Sequence, residues 1–460
     1  MSWFTKLLDR INGTGGGVKA TNEKDKIPVN IFAGMEGVRF GRYSDNNKRN
    51  RKAQCWYQAE TYYKEKKYNE AVASFFEYLR DDAKDNVHFY PGDKGFTFDL
   101  IQGSRQVTGA GSNGNITATA RIVVMEEQNL AAMRRLLDMN YNLQYTRTAI
   151  DDDNHICMIF QTDVASASPE KLYFALRELA TKADKLDDLL LADFRQLKPA
   201  GNDLTTPLTE SELNLRLRYL HNWVAETLAL GDAQNQDAFS GAIAYLLAGV
   251  VYRIDFLLMP EAKMLAELER ISALYWDKKD EVTLVERNQM LRAAIAKLGA
   301  TTKEELAKNM FHSRATFAIC PPAKPDRIRD NVYTANKDAK WYMENLYPNI
   351  AVAIVEYGVL YTHFIFSMPA VLTNLTTIFM AVLHPAFFTD CGMKIVLYNA
   401  DDNKFREEEI KQAVDAALEP YTDKFRKMKW DHGRVQYTSL FDFSISFSEQ
   451  MANLNLETKR

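Results

Sequence analysis

The feature that most constrains the fold is a change of hydrophobic period within residues 54–196. Apolar residues first recur at helical spacing, and two segments further on then alternate apolar and polar side chains, as half-buried strands do. The predicted order is a helical hairpin, strands at 96–100 and 116–124, a helix at 128–138, strands at 144–150 and 155–162, and a helix at 168–194. The helical period and the strand alternation occur in the same stretch of chain, which predicts an α+β domain.

Four segments of this region resemble the type III secretion chaperone-like fold, which secretion chaperones share with YbjN-like bacterial proteins. They are the strand ITATARIVV, the helix NLAAMRRLLDMN, the acidic hairpin DDDNHICMIF and the terminal helix SPEKLYFALRELATKADKLDDLL. The resemblance is one of topology, covers about a third of the chain and brings no catalytic signature. It implies recognition of an extended polypeptide along the sheet and helix surface, by strand addition or in a groove. Because the chain also has no catalytic constellation, we expect a non-enzymatic, chaperone-like interaction module of bacterial type.

The rest of the chain predicts three further parts. Residues 1–53 form a basic arm and linker, 209–310 a helical region, and 311–460 a second α+β domain. In the last part, strands are predicted at 350–357 and 359–367, and a long strand at 435–448, where Phe441, Phe443, Ile445 and Phe447 alternate with polar residues. This part is either unrelated to the first domain or a degenerate second copy. A second copy would let one chain act as a monomer, whereas the resemblance alone implies a homodimer.

Composition excludes several classes of function. The 57 Lys and Arg residues against 61 Asp and Glu give a net charge of −4 and a pI near 6.1, which does not favour nucleic acid as a partner. The four cysteines lie far apart, and the seven histidines form no metal-binding pair, so no metal or other cofactor is predicted. The acidic run 151–154 has oxygen ligands but no calcium-loop glycine, which favours a solvated turn.

The N-terminal segment supports an alternative function. Residues 1–53 carry eleven Lys and Arg against five Asp and Glu, a local charge of +6. An amphipathic start places five apolar residues on one side: Trp3, Phe4, Leu7, Leu8 and Ile11. The local charge predicts either a solvated arm or an anion-binding patch for a membrane surface or nucleic acid. Together with the apolar side, it gives an alternative function as a peripheral membrane or assembly-associated protein. The start lacks the long apolar run of a signal peptide, so a cytoplasmic location is expected.

Two further sequence features concern buried polar groups. Glu356 and His363 lie in an apolar stretch and are the pair predicted to form a polar pocket, either as satisfied core residues or as part of an enzyme site. The apolar segments 241–259 and 370–388 are predicted to be core helices, because the first contains Arg253 and Asp255 and the second is interrupted by polar residues.

Overall fold

The computed structural model describes residues 31–32, 34–35, 38–45, 48, 50–81, 84–201, 204–277 and 282–457. In this range the chain builds two hydrophobic cores. One lies within residues 59–197 and includes Phe317, and the other joins residues 31–40 to residues 213–454. Because an antiparallel sheet and separate helical layers coexist, the predicted α+β class is confirmed.

The first core belongs to a sheet covered by helices on one face. Its elements are α1 (Asn50–Lys64), α2 (Tyr68–Leu79), β1 (Val87–Gly92), β2 (Gly95–Gln102), β3 (Arg105–Ser112), β4 (Asn115–Val124), α3 (Leu130–Asn140), β5 (Arg147–Ile150), β6 (His155–Asp163), α4 (Pro169–Asp193) and β7 (Lys198–Pro199). The sheet is antiparallel in the order β1-β2-β3-β4-β6-β5, and β7 pairs with β4. Helix α4 packs on β2, β3, β4 and β6. The opposite face of the sheet exposes Thr97, Thr108 and Thr117 to solvent.

The glycine-rich stretch 109–115, which lies between the strands predicted at 96–100 and 116–124, contains half of a strand that the sequence pattern did not predict. Gly109 and Gly111 belong to β3, where a Cβ would lie 2.2 Å from the Cζ atom of Phe98 and of Phe96, respectively. The two aromatic rings of β2 therefore occupy the space that side chains would need. The turn itself is Asn113–Gly114, with φ values of 50° and 79°, the left-handed pair that a tight hairpin requires.

The remaining part is helical. Its elements are β8 (Thr206–Pro207), α5 (Glu210–Asp232), α6 (Ser240–Leu258), α7 (Ala262–Trp276), α8 (Leu284–Leu298), α9 (Lys303–Ala307), β9 (Phe311–His312), α10 (Pro325–Glu344), α11 (Pro348–Ile365), α12 (Ala370–Leu383), α13 (Pro385–Asp390), β10 (Tyr398–Asn399), β11 (Lys404–Phe405), α14 (Glu407–Leu418) and α15 (Leu440–Ala452). The helices predicted between 209 and 310 are confirmed, including the capping box in which Thr209 and Glu212 bond each other's backbone amides.

The strands predicted at 350–357, 359–367 and 435–448 are wrong. The first two form the single helix α11, and most of the third forms α15. No second extended sheet occurs in the described residues 311–457, whose strands are two residues long and whose side chains share a core with 209–310. This part of the chain is therefore not a copy of the first sheet.

A loop after β9 joins the two cores. Phe317 is fully buried in the core of the sheet, and its ring meets Tyr173 of α4 at 5.6 Å. The amides of Thr316 and Phe317 donate to Oε1 of Gln102 at 3.1 and 2.9 Å. Arg177 of α4 donates to the carbonyl oxygens of Ala318 and Cys320, at 2.9 Å in each case. The helical part is thus anchored inside the first core.

The segment predicted as a solvated basic arm is, in its described part, packed against the helices. Ile31, Met35 and Phe40 are buried in the second core. The side chain of Arg42 is only 10 % exposed, and its Nη2 lies 2.9 Å from Oδ1 of Asp255 in α6. For the described residues between 31 and 45, the prediction of a solvated arm is therefore wrong, because Ile31, Met35 and Phe40 enter the core and Arg42 pairs with Asp255.

The apolar helix α6 is a core element. Among the described residues it alone is long and apolar enough to span a membrane, and 83 % of its most apolar window is buried inside the protein.

Candidate interaction surface

The predicted pocket residue Glu356 lies on α11 inside a cluster of buried charges. Its carboxylate accepts from Nε and Nη2 of Arg253 at 2.6 and 2.8 Å, and Nε2 of His384 lies 3.1 Å away. Burial opposes ionisation of this carboxyl, but the charges and hydrogen bonds of Arg253 and His384 outweigh burial and lower the pKa of Glu356 to about 2. The ring of Trp223 packs against both partners.

The structure does not pair Glu356 with His363. His363 lies two helical turns further along α11, where its Nε2 is 2.8 Å from Oγ1 of Thr376, and burial lowers the pKa of the imidazole to about 3. The space beside this ring holds about one water molecule. Each residue is thus bonded to its own buried partners, and the space beside His363 is too small for a substrate.

Two other predicted features have different outcomes. The apolar residues Trp3, Phe4, Leu7, Leu8 and Ile11 lie outside the described residues. In the acidic hairpin, Asp151, Asp153 and His155 bring ligand-type atoms within 4.8 Å of one another. The guanidinium of Arg121 contacts both carboxylates at 2.8 Å, so a side chain of the protein itself already offsets part of this negative charge.

Carboxylates also meet where α4 faces the helical part. Asp184 accepts from the amide of Ser104 at 2.8 Å, and Glu261 accepts from the hydroxyl of Ser313 at 2.8 Å. Burial raises the pKa of Asp184 to about 7, and the charge of Glu261 adds to the effect. Burial likewise raises the pKa of Glu261 to about 7. Protonation near neutral pH therefore changes the charge of this junction.

The most exposed apolar side chains of the first part lie on α3. Leu130 is 79 % exposed, Leu137 is 70 % exposed, and Tyr141, which caps the helix in a helical conformation, is 92 % exposed. With the exposed Arg134 between them they are spaced by four, three and four residues, and so share one face of the helix. We call Leu130, Arg134, Leu137 and Tyr141 the α3 stripe. Helices that pack side by side in a coiled coil have their contact residues at this same spacing of three and four residues.

Helix α3 is held rigidly from its other side. Ala132 and Leu136 are buried in the first core, and the side chain of Asn129 caps the helix by accepting from the amide of Ala132 at 3.0 Å. Arg135 forms an ion pair with Asp193 of α4. A helix that buries one apolar face and exposes a second presents the exposed face in a fixed geometry.

The neighbouring strand β5 extends this surface with side chains rather than with its backbone. Tyr145, two residues before β5, is 39 % exposed, and Ile150, the last residue of β5, is 40 % exposed. The amide of Thr148 donates to Oδ1 of Asn140 at 2.7 Å, and the hydroxyl of Thr148 donates to the carbonyl oxygen of Leu136 at 3.3 Å. This edge of the sheet is therefore already partly bonded to α3, which disfavours addition of a further strand.

The loop between α3 and β5 is also fixed by hydrogen bonds. The carboxylate of Glu178 accepts from the amides of Gln144, Tyr145 and Thr146 at 2.9, 2.8 and 3.0 Å. At the opposite edge of the sheet, β1 contains Pro91, which has no amide to donate. Both edges thus offer little for strand addition, and α3 offers the larger exposed apolar surface.

The charges on α3 are of both signs. Arg134 lies in the middle of the α3 stripe, and Asp138 lies one turn later at its flank. Both are exposed, and within the described part of the chain neither side chain forms an ion pair. Arg147 on β5 is likewise exposed and unpaired there. A partner that covers the α3 stripe must therefore place a carboxylate near Arg134, since an unpaired buried guanidinium is costly.

Sequence reasoning predicted the helix at 128–138 but missed its exposed face. The signal was present, because Leu130, Leu137 and Tyr141 recur at helical spacing on a side different from that of Ala132 and Leu136. A helix with two apolar sides can bury only one of them in a single core, so the other side remains exposed.

No family model matches this chain, and none of the curated proteins matches it either.

Proposed function

We propose that this protein is a non-enzymatic, chaperone-like interaction module that binds a polypeptide partner through the α3 stripe and the adjoining side chains of β5. The observation that carries the proposal is the exposure of Leu130, Leu137 and Tyr141 on a helix whose opposite face is anchored in the core. Complete burial of a leucine side chain contributes about 1.5–3 kcal/mol, so a few such anchors suffice for a specific contact.

The expected mode of binding is helix packing. The exposed residues of α3 are spaced so that they can pack into the grooves of another helix. The two edge strands are less suited to strand addition, because β5 is partly bonded to Asn140 and β1 contains Pro91. Of the two modes implied by the chaperone resemblance, this favours binding against a helix surface over strand addition. The partner is expected to carry apolar anchors at spacings of three and four residues, and a carboxylate that meets Arg134.

Site-specific photo-crosslinking tests this function. A benzoylphenylalanine placed at Leu137 of the full chain, expressed in its native cells, should form an adduct with a polypeptide segment that mass spectrometry can map. The matched control carries the same group at Thr108, which is exposed on the open face of the sheet. Adducts should form at position 137 and be absent at 108, and Arg134→Glu should reduce their yield. Equal adduct formation at both positions, or none at 137, would contradict the proposal.

A further inference from the structure

His88 on β1 has both of its ring nitrogens bonded to carboxylates. Nδ1 lies 2.9 Å from Oδ1 of Asp99 on β2, and Nε2 lies 2.7 Å from Oδ1 of Asp85 in the turn before β1. The ring also stacks on that of Tyr90, with the centroids 6.2 Å apart. An ionised carboxylate can only accept hydrogen bonds, and a neutral imidazole has a single N–H. Both bonds form together only when each nitrogen carries a proton, so the geometry is that of an imidazolium cation.

The two carboxylates differ in how firmly they are held. Asp99 also accepts from Nε2 of Gln106 on β3 at 3.2 Å, and its side chain is 18 % exposed. The side chain of Asp85 is 74 % exposed, and its Oδ2 lies 3.6 Å from Nη1 of Arg314. The hydrogen bonds from Asp99 and Asp85 outweigh burial and raise the pKa of His88. If one bond to the ring breaks, the exposed carboxylate is the one free to move.

The turn at Asp85 holds the loop that joins the two cores. The carbonyl oxygen of Asp85 accepts from Nη1 of Arg314 at 3.1 Å. The next residue, Asn86, is fully buried, and its Nδ2 donates to the hydroxyl of Thr316 at 3.2 Å. Phe317 follows directly and enters the first core. A contact that fixes this turn therefore also fixes the segment that anchors the helical part.

We propose that His88 is a proton-operated latch, which fixes the Asp85 turn and the adjoining loop when the imidazole is protonated and releases them when it is neutral. The neutral ring keeps one N–H, and we expect that N–H to stay with Asp99, because Gln106 holds this carboxylate in place. Nε2 then presents a lone pair to Oδ1 of Asp85 at 2.7 Å, so that two acceptors face each other and repel.

The direction of the pH dependence follows from the sign of the shift. Because folding raises the pKa of His88, the latch contributes its full stabilisation below the unfolded value of about 6.5. The contribution is lost as pH rises through the folded value.

Nitrogen-15 NMR of the full chain, labelled at histidine, tests the charge state. The His88 resonances, assigned by their absence in His88→Gln, should show two protonated ring nitrogens at pH 6.5. Asp85→Asn should lower the midpoint of their titration. A wild-type ring that is already neutral at pH 6.5 would overturn the inference.

Hydrogen exchange followed by mass spectrometry tests the release. After correction for the intrinsic effect of pH, peptides covering 84–90 and 313–317 should lose protection between about pH 6 and 9 in the wild type. His88→Gln has no ring to titrate and should not show this loss. Asp85→Asn should also stay protected at high pH, because its amide can donate to the neutral Nε2. Circular dichroism shows whether each variant is folded.

Two further variants serve as controls. His432→Gln removes a histidine that bonds the single carboxylate of Asp415 at 2.8 Å, and it should respond to pH like the wild type. Glu261→Gln should keep the response of peptide 84–90, which separates the latch from the buried carboxyl groups between α4 and α7. Protection that falls equally in His88→Gln and in Asp85→Asn, or that does not change with pH in the wild type, would overturn the latch.

Discussion

Replacement of Phe317 by Ala should lower the free energy of unfolding of the sheet-containing part, although Phe317 itself lies in the loop after β9, among the elements of the helical part. Its ring is fully buried in the first core and packs on Tyr173. Removing a buried phenylalanine ring costs about 3–5 kcal/mol, because transfer energy is lost and a cavity remains. A typical domain is stable by only about 5–15 kcal/mol, so this loss is large. The amide of residue 317 still donates to Gln102, so the change isolates the ring.

Urea unfolding at 25 °C, followed by far-UV circular dichroism, measures the free energy of unfolding of wild type and Phe317→Ala. The matched control is Ile319→Ala in the same loop, because Ile319 is 41 % exposed and should cost no more than about 0.5 kcal/mol. Hydrogen exchange should show lost protection in β2 and β3 before α6. A difference of less than about 1 kcal/mol between the two variants, or lost protection confined to the helices, would refute the anchoring role of Phe317.

The remaining predictions concern buried charges. Because the pKa values of Asp184 and Glu261 are raised to about 7 in the folded protein and lie near 4 when unfolded, the folded state binds more protons between about pH 4.5 and 7. The free energy of unfolding should therefore fall as pH rises through this window, and the melting temperature should be lower at pH 8 than at pH 6. Glu261→Gln should reduce this difference in melting temperature. If the variant shows the same pH dependence as the wild type, Glu261 is not one of the groups that cause it. Glu356→Gln leaves Arg253 buried with no opposing carboxylate beside His384 and should cost about 3–5 kcal/mol in urea unfolding. A cost below about 1 kcal/mol would mean that solvent reaches the guanidinium.

Sequence reasoning succeeded where an element has one buried side and one exposed side. In β4, residues 116, 118, 120 and 122 are buried while the exposed positions lie between them, so the alternation reports the strand directly. The capping box at Thr209 likewise marked where a helix begins, because it satisfies amides within the same turn. Local chemistry alone decides these features.

The same reasoning failed on α11, which is buried on most sides. Twelve of its eighteen residues are buried, and the segment is rich in Val and Ile. An apolar run of this kind has no polar face to reveal its period, and its β-branched residues favour a strand when considered alone. The helix forms because α6, α10 and α15 enclose it.

Helix α15 misled the prediction for a different reason. Phe441, Phe443, Ile445 and Phe447 alternate with serines, which is the pattern of a strand with one polar face. In the structure Ser444 and Ser448 are themselves buried, and their hydroxyls donate to the carbonyl oxygens of Leu440 and Ile445 at 2.6 and 2.9 Å. Serines that satisfy their hydroxyls within the helix can lie on its buried side, which the alternation could not reveal.

The sequence by itself determined the α+β class, the helices and four of the strands in residues 54–196 and the helices of residues 209–310, because these depend on local period, turns and caps. It missed β1 and β3. Only the tertiary structure decided that residues 311–457 complete a helical core, that Phe317 enters the sheet, and that Glu356 bonds Arg253 and His384. It also decided which of the two apolar sides of α3 is left exposed. These features depend on contacts between residues distant in sequence, and no local pattern encodes which surfaces will meet.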